Sequence, residues 1–231
     1  STRKESSAAS DVYKRQMRGR VGLGLVAALS VLAGMTDAIG LLALGDFVSF
    51  MSGNTTRLAV AISEADLALV LRLSGAVLGF VAGNALGVLL ARGLRRRAWP
   101  VLLVVAALLA FAAAWPLPAT FPALLAATLA MGMINAVVEQ VNGLPIGLTY
   151  VTGALSRFGR GLGRWLLGER RNGWRVQLIP WAGMLLGAAL GAWLQQHLGL
   201  QALAGSCALA CVLALVSRFI PRSWQRGYMP R

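Results

Sequence analysis

Few residues in this chain could do chemistry, and most of them sit where water is scarce. Asp37 and Glu139 are the acids that fall inside apolar runs of spanning length. An acid in such a run is costly enough that a functional role is the default expectation. Ser52-Gly53-Asn54-Thr55 and Thr152-Gly153 set small hydroxyl and amide residues beside glycine in otherwise apolar surroundings. A helix broken at such a point turns unpaired N–H groups toward a polar or anionic ligand, and its free carbonyls can hold a cation. Asp37 shares a helical face with Ser30 and Gly34, at spacings of seven and three, so a broken helix end could approach it closely. It would then carry a proton or cation beside the two tips, or alternatively be an acid held neutral by desolvation that hydrogen-bonds a broken helix end. Asn135, Glu139 and Asn142, spaced i, i+4 and i+7, would share one face of a later helix. The candidate ligand-binding set is therefore Asp37, Ser52, Gly53, Asn54, Thr55, Asn135, Glu139, Thr152 and Gly153.

Other chemistries find little to build on. Ser52 has no glycine two residues before it, as a nucleophile elbow needs, and no histidine lies nearby. His197 is the single histidine, too few ligands for a metal site. Cys207 and Cys211, spaced i and i+4 without a partner cluster, read as small apolar fillers. Acid–base work by Asp37 would lack a second catalytic group, so no enzyme activity is expected. Neither cofactor, metal nor nucleic acid is expected as a partner.

These residues recur. Gly34-Met35-Thr36-Asp37-Ala38 returns as Gly132-Met133-Ile134-Asn135-Ala136, and the segment from Phe50 to Arg57 returns between Tyr150 and Arg157. The glycine stripe Gly79–Gly87 returns as Gly183–Gly191. The offsets are 98, 100 and 104 residues, and ten of 22 compared positions are identical. An internal duplication follows.

The elements that must hold these residues are set by composition. Hydrophobic residues make up 57% and charged residues 13%, with the charges gathered between long apolar runs. This predicts an all-α, polytopic membrane protein. Asp11–Gln16 resembles the translation of a transposon-end sequencing adaptor, so residues 1–16 are expected to be a non-native or disordered tail. Met17 would be the native start. Residues 17–118 and 119–221 would form two membrane repeats, and 222–231 a basic cytoplasmic tail.

Six runs are predicted to span: Val21–Leu44, Leu67–Ala91, Trp99–Trp115, Phe121–Gln140, Val176–Trp193 and Leu198–Ile220. Phe47–Ile62 and Leu144–Leu155 are too short and polar to face lipid. They are predicted to be re-entrant or broken helices, with Gly53 free to break the first. Arg157, Arg160 and Arg164 recur on one face, as in an amphipathic helix resting on anionic lipid headgroups.

Positive charge in short loops marks the cytoplasmic side. If all eight segments crossed, the Arg92–Arg97 cluster would fall outside. If two only dip in, every arginine cluster and both termini fall inside. Three full spans per repeat is an odd number, so the two copies must insert in opposite directions, an inverted repeat of the kind found in secondary transporters.

The motifs Gly34-Met35-Thr36-Asp37-Ala38, Met51-Ser52-Gly53-Asn54 and Tyr150-Val151-Thr152-Gly153 resemble the YoaK family of uncharacterised bacterial inner-membrane proteins. The resemblance covers roughly Met17 to Ile220 and departs from the family's pattern at Ala154, where a hydroxyl residue is expected. It implies an inner-membrane location and names no substrate. The functional expectation is a secondary transporter of a small polar or anionic solute, bound between the two re-entrant tips. The alternative is a non-transporting membrane regulator or scaffold whose polar tips only lock the bundle. A homo-oligomer is compatible with either.

Overall fold

The computed structural model of the chain describes residues 2–141, 144–145, 148–170 and 173–229; Asn142 and Arg171 lie outside these. Its helices are α1 (Thr2–Leu44), α2 (Met51–Ser63), α3 (Leu67–Gly93), α4 (Ala98–Ala114), α5 (Phe121–Ile134), α6 (Val151–Leu166), α7 (Leu178–Leu198), α8 (Leu203–Phe219) and α9 (Arg222–Gln225). A small antiparallel pair, β1 (Gln140–Val141) and β2 (Leu144–Pro145), precedes α6.

Among the described residues, three stretches are long and apolar enough to cross a membrane: Gln16–Leu44, Leu67–Gly93 and Arg175–Phe219. The last folds back on itself. Gly199 takes φ +56°, which only glycine adopts readily, and the chain reverses there between α7 and α8. α4 and α5, at 17 and 14 residues, are shorter apolar helices. Leu78, Val81, Leu86, Leu89, Leu186 and Phe219 lie exposed along the helix surfaces, where hydrocarbon rather than water would cover them.

In lipid, apolar burial does not drive helices together, so backbone must approach backbone over small side chains. The two glycine stripes do this. α1 and α7 run in the same direction, with Gly183 against Ala27 and Ser30, Gly187 against Val31 and Gly191 against Met35. α3 and α5 also run in the same direction, with Gly79 against Thr128, Gly83 against Leu129 and Gly87 against Met133. Each contact in the first pair has its counterpart in the second at the repeat offsets. Gly34 faces the Met184 backbone, and its counterpart Gly132 faces that of Phe80. α4 packs along α8 between these pairs.

The ends of the bundle are equally specific. At one end the Tyr228 hydroxyl donates to the Arg18 carbonyl at 2.5 Å, and the Tyr228 carbonyl accepts from the Glu139 and Gln140 amides. Burial raises the Tyr228 phenol above its ordinary pKa, with the nearby Arg18 charge opposing the shift. Gln225 joins the same end, accepting from the Ala98 amide and donating to the Ser217 and Ile220 carbonyls, all at 2.8 Å. At the other end Arg72 donates to the Leu44 carbonyl at 2.5 Å and to the Thr120 hydroxyl at 2.9 Å. Thus α1 ends where α5 begins, and the two run in opposite directions.

Three expectations from the sequence need correction. The predicted span Phe121–Gln140 is helical only to Ile134. The Asn135 amide turns back to the Met131 and Gly132 carbonyls at 3.4 Å, in competition with the next helical turn. Two β-branched valines follow at 137 and 138, and then the β pair, whose strands are separated in sequence by Asn-Gly, the dipeptide favoured in hairpins. Asn135 and Glu139 therefore share no helical face. Secondly, Gly53 does not break α2. The break lies at Gly45–Phe50, where Gly45 takes φ +83°. Thirdly, the second polar tip and the arginine-rich stretch are one helix, α6, and Arg157 turns to Gln177 (2.8 Å) rather than outward.

A methyl group on Gly187 would overlap the Val31 carbonyl, which belongs to backbone and cannot step aside, whereas one on Gly24 meets nothing within 4 Å. Gly187→Ala is expected to lower stability by roughly 1–3 kcal/mol, seen as a clear fall in melting temperature of the purified protein in mild detergent. Gly24→Ala should leave it unchanged.

Candidate functional site

The break between α1 and α2 is held by one carboxylate. Asp37 Oδ1 accepts the backbone N–H of Val48 and of Ser49, each at 2.8 Å. Those two amides belong to no helix or strand, and without an acceptor each would be stranded in the interior. Asn54, fully buried, donates to the Phe47 carbonyl at 2.7 Å and closes the turn from the other side. Phe47 and Phe50 pack edge to face at 5.1 Å, and their rings occupy the space over Gly53.

The returned chain starts α2 at Met51, with Phe50 as its N-cap and no side-chain cap bond. α6 starts at Val151 in the same manner, behind Tyr150. Both helices thus leave their first-turn N–H groups without a side-chain acceptor, at the positive ends of their dipoles.

The two starts face one cavity of about 220 Å³. Its walls are Ser49, Phe50, Met51 and Ser52 from one tip, Thr149, Tyr150, Val151, Thr152 and Gly153 from the other, and Phe80 and Met184 from α3 and α7. Nearly every wall residue is matched by its repeat counterpart: 49 with 149, 50 with 150, 51 with 151, 52 with 152, and 80 with 184. Ser49 is 3% exposed, and its hydroxyl sits beside the Asp37 carboxylate at the cavity wall. The walls therefore offer hydroxyls, helix-end N–H groups and aromatic faces, and no acid, lysine, arginine or histidine. Such a lining can hold a small polar or anionic molecule, and it contains no acid–base pair for catalysis. Among the described residues no cluster of three or more histidines, cysteines or acids could hold a metal.

The residues singled out from sequence divide accordingly. Ser52, Thr152 and Gly153 line the cavity. Asp37 stands behind its wall and acts on it through Ser49. Asn135 takes the corresponding place in the second half, where its carbonyl accepts from the Thr149 hydroxyl at 3.4 Å. Gly53 and Asn54 pack inside the first tip, and Thr55 donates back to the Met51 carbonyl at 2.8 Å, so none of these three walls the cavity. Glu139 is exposed, lies beyond the end of α5, donates its amide to the Tyr228 carbonyl and does not line the cavity.

Sequence reasoning missed Ser49, Thr149, Phe80 and Met184. The duplication held the signal, since 49 and 149 share the offset of the tips, and Phe80 and Met184 occupy the same place in the two glycine stripes. It also missed the ion network beside the first tip. Asp46, 1% exposed, pairs with Arg57 at 2.7 Å and with Arg72. Arg57 also reaches the Gly45 carbonyl at 2.9 Å, so α2 is tied to the loop before it and to α3.

A family model described as "Protein of unknown function (DUF1275)" matches residues 25–216 of the chain. The chain is also 52% identical over 220 residues to a UPF0700 transmembrane protein of Rhizobium meliloti (strain 1021), which covers 94% of this chain and 95% of the relative. No solved structure matches it. The resemblance to an uncharacterised bacterial membrane family, drawn from the tip motifs, agrees with both findings.

Two substitutions separate the supports of the first tip. Asp37→Asn keeps an acceptor for Val48 and Ser49 and should fold. Asp37→Ala strands both amides and should cost roughly 1–3 kcal/mol for each, read as lost melting temperature in detergent. Asp46→Ala removes the counter-charge of two partly exposed arginines and is expected to cost roughly 1–3 kcal/mol, with a comparable fall.

Proposed function

We propose that this chain, which belongs to the DUF1275 family of proteins of unknown function, is a membrane transporter for a small polar or anionic solute held between the tips of α2 and α6. The observation that carries the reading is the paired lining of one cavity by corresponding residues of the two sequence repeats. Ser49, buried beside Asp37 at the cavity wall, supplies a hydroxyl that such a solute would meet. The uncapped starts of α2 and α6 would add N–H groups at the same point.

The two copies are inverted in this reading, each with three membrane crossings and one re-entrant helix. What supports it is the opposite run of α1 and α5, together with the exchanged pairing of α1 with α7 and of α3 with α5. The arginine-rich end, with Arg18, Arg97, Arg218 and Arg222, faces the cytoplasm of the bacterial inner membrane by the positive-inside rule. Exchange of the solute across the membrane would come from rocking of the two halves about the cavity. Asp37 positions the first tip, and if its carboxylate also carries a proton, Asp37→Asn removes the pH dependence of exchange while leaving the fold intact.

A second reading has its own observation. Asp37, Asn54, Thr55 and Thr56 satisfy one another's neighbourhood within the first tip, as they would in a scaffold that moves nothing.

A solute library screened by thermal shift on the purified protein is expected to yield a stabilising compound. Its effect should vanish in Thr152→Trp, which fills the cavity, and weaken in Ser49→Ala. The same compound should exchange in proteoliposome counterflow. Binding without exchange would favour the scaffold. For orientation, single cysteines at Leu94 and Ser223 in a variant lacking Cys207 and Cys211 should be shielded from an impermeant reagent added outside intact cells. One at Ala119 should react, and outside labelling at Leu94 would overturn the six-crossing arrangement.

A further inference from the structure

A second cavity lies at the arginine-rich end, shares no wall residue with the one between the tips, and has a lining that differs in kind. It encloses about 320 Å³ between Arg97, Trp99, Arg218, Ile220, Arg222 and Gln225. Three arginines line it, Arg97 partly buried and Arg218 and Arg222 exposed, with no acid in the wall. None of the three forms an ion pair among the described residues, and the buried Nε of Arg97 has no hydrogen-bond partner among them. Like charges held around one space repel unless something negative fills it.

The frame is rigid. Gln225 is buried, and its amide is fully engaged by the Ala98 N–H and the carbonyls of Ser217 and Ile220. It therefore locks the start of α4, the end of α8 and the start of the tail, the three places that carry Arg97, Arg218 and Arg222. The backbones that carry the three arginines are thus fixed, the side chains of Arg218 and Arg222 are exposed, and planar guanidinium forks are suited to phosphate oxygens.

Next to this cavity is an apolar one of about 460 Å³ between α1 and α8, walled by residues that include Val21, Leu25, Leu213, Val216 and Phe219. The two share Ile220. The apolar groove runs inward from the basic end along about two helical turns. Its floor is open at Gly24, where an added methyl would touch nothing within 4 Å. A basic head site joined to an apolar groove fits a molecule with a negative head and a hydrocarbon tail, and free phosphate would leave the groove unused.

We propose that this end of the protein binds one anionic phospholipid, its phosphate held by Arg97, Arg218 and Arg222 and an acyl chain laid in the groove between α1 and α8. The assignment stands apart from the transport reading, since none of its residues lines the cavity between the tips. It is also distinct from general attraction of α6 to a charged surface.

The test is native mass spectrometry of the full-length protein released from nanodiscs containing equal amounts of phosphatidylglycerol and phosphatidylcholine. Wild type is expected to retain one phosphatidylglycerol, and replacement of all three arginines by glutamine should weaken its retention roughly a hundredfold, given the attraction that each basic residue supplies near an anionic lipid. Gly24→Leu, which fills the groove and leaves the arginines in place, should also lose the lipid. Arg160→Gln with Arg164→Gln should keep it. If the triple variant fails to fold, Gly24→Leu carries the test alone. Retention by Gly24→Leu, or displacement of the lipid by millimolar inorganic phosphate in wild type, would assign the arginines to a free anion and overturn the proposal. Equal retention of both lipids would overturn it as well.

Discussion

Everything in this fold depends on backbone meeting backbone along two glycine stripes. Gly183, Gly187 and Gly191 let α7 settle onto α1, and Gly79, Gly83 and Gly87 let α5 settle onto α3. Inside a bilayer there is no water to expel from between helices, so attraction comes from dispersion and polar contacts that act only at short range. Each glycine removes the atom that would hold the axes apart. Phe80 of α3 and Met184 of α7, at corresponding places in the two stripes, both wall the cavity between the tips.

Once these pairs are set, the short segments between them must enter the protein without stranding their amides. The two halves solve this differently. Asp37 can only accept, so it leaves the carbonyls of its own helix alone and reaches forward to Val48 and Ser49. α1 continues past it for seven residues to Leu44. Asn135 can donate, so it bonds back to its own helix, which stops one residue earlier. One change of side chain, from carboxylate to amide at equivalent positions, thus accompanies a long first half-turn and an abrupt second one. The arginines of the two tips diverge likewise, Arg57 toward Asp46, which also meets Arg72 of α3, and Arg157 toward Gln177, yet each ties its short helix to the region of the helix that follows.

Charge is sorted along the bundle rather than spread over it. Asp46 sits between Arg57 and Arg72 at one end, where a buried carboxylate compensates two cations. The opposite end holds Arg97, Arg218 and Arg222 around a cavity with no acid in its wall. Arg218 and Arg222 are exposed and Arg97 partly buried, so the second arrangement leaves its charge open to water, headgroups or an external anion.

Composition and the spacing of apolar runs were enough to determine that this chain is a helical membrane protein, because no soluble core could hide so many uninterrupted apolar turns. The duplication was legible too, since glycine, hydroxyl and arginine recur at nearly constant offsets. From it came the two tips and three residues that line the cavity, Ser52, Thr152 and Gly153. Other features depended on contacts between residues distant in sequence. Asp37 lies beside Val48 and Ser49 only after the chain reverses at Gly45, and Asp46 meets Arg72 only when α3 packs beside the loop. Glu139 drops out of the site because Asn135 ends α5 before it, a competition between side-chain and backbone hydrogen bonds that helical spacing alone could not resolve. Periodicity records which face of a helix is apolar. Which helix that face meets, and in which direction it runs, was decided by the close approach that the glycines allow.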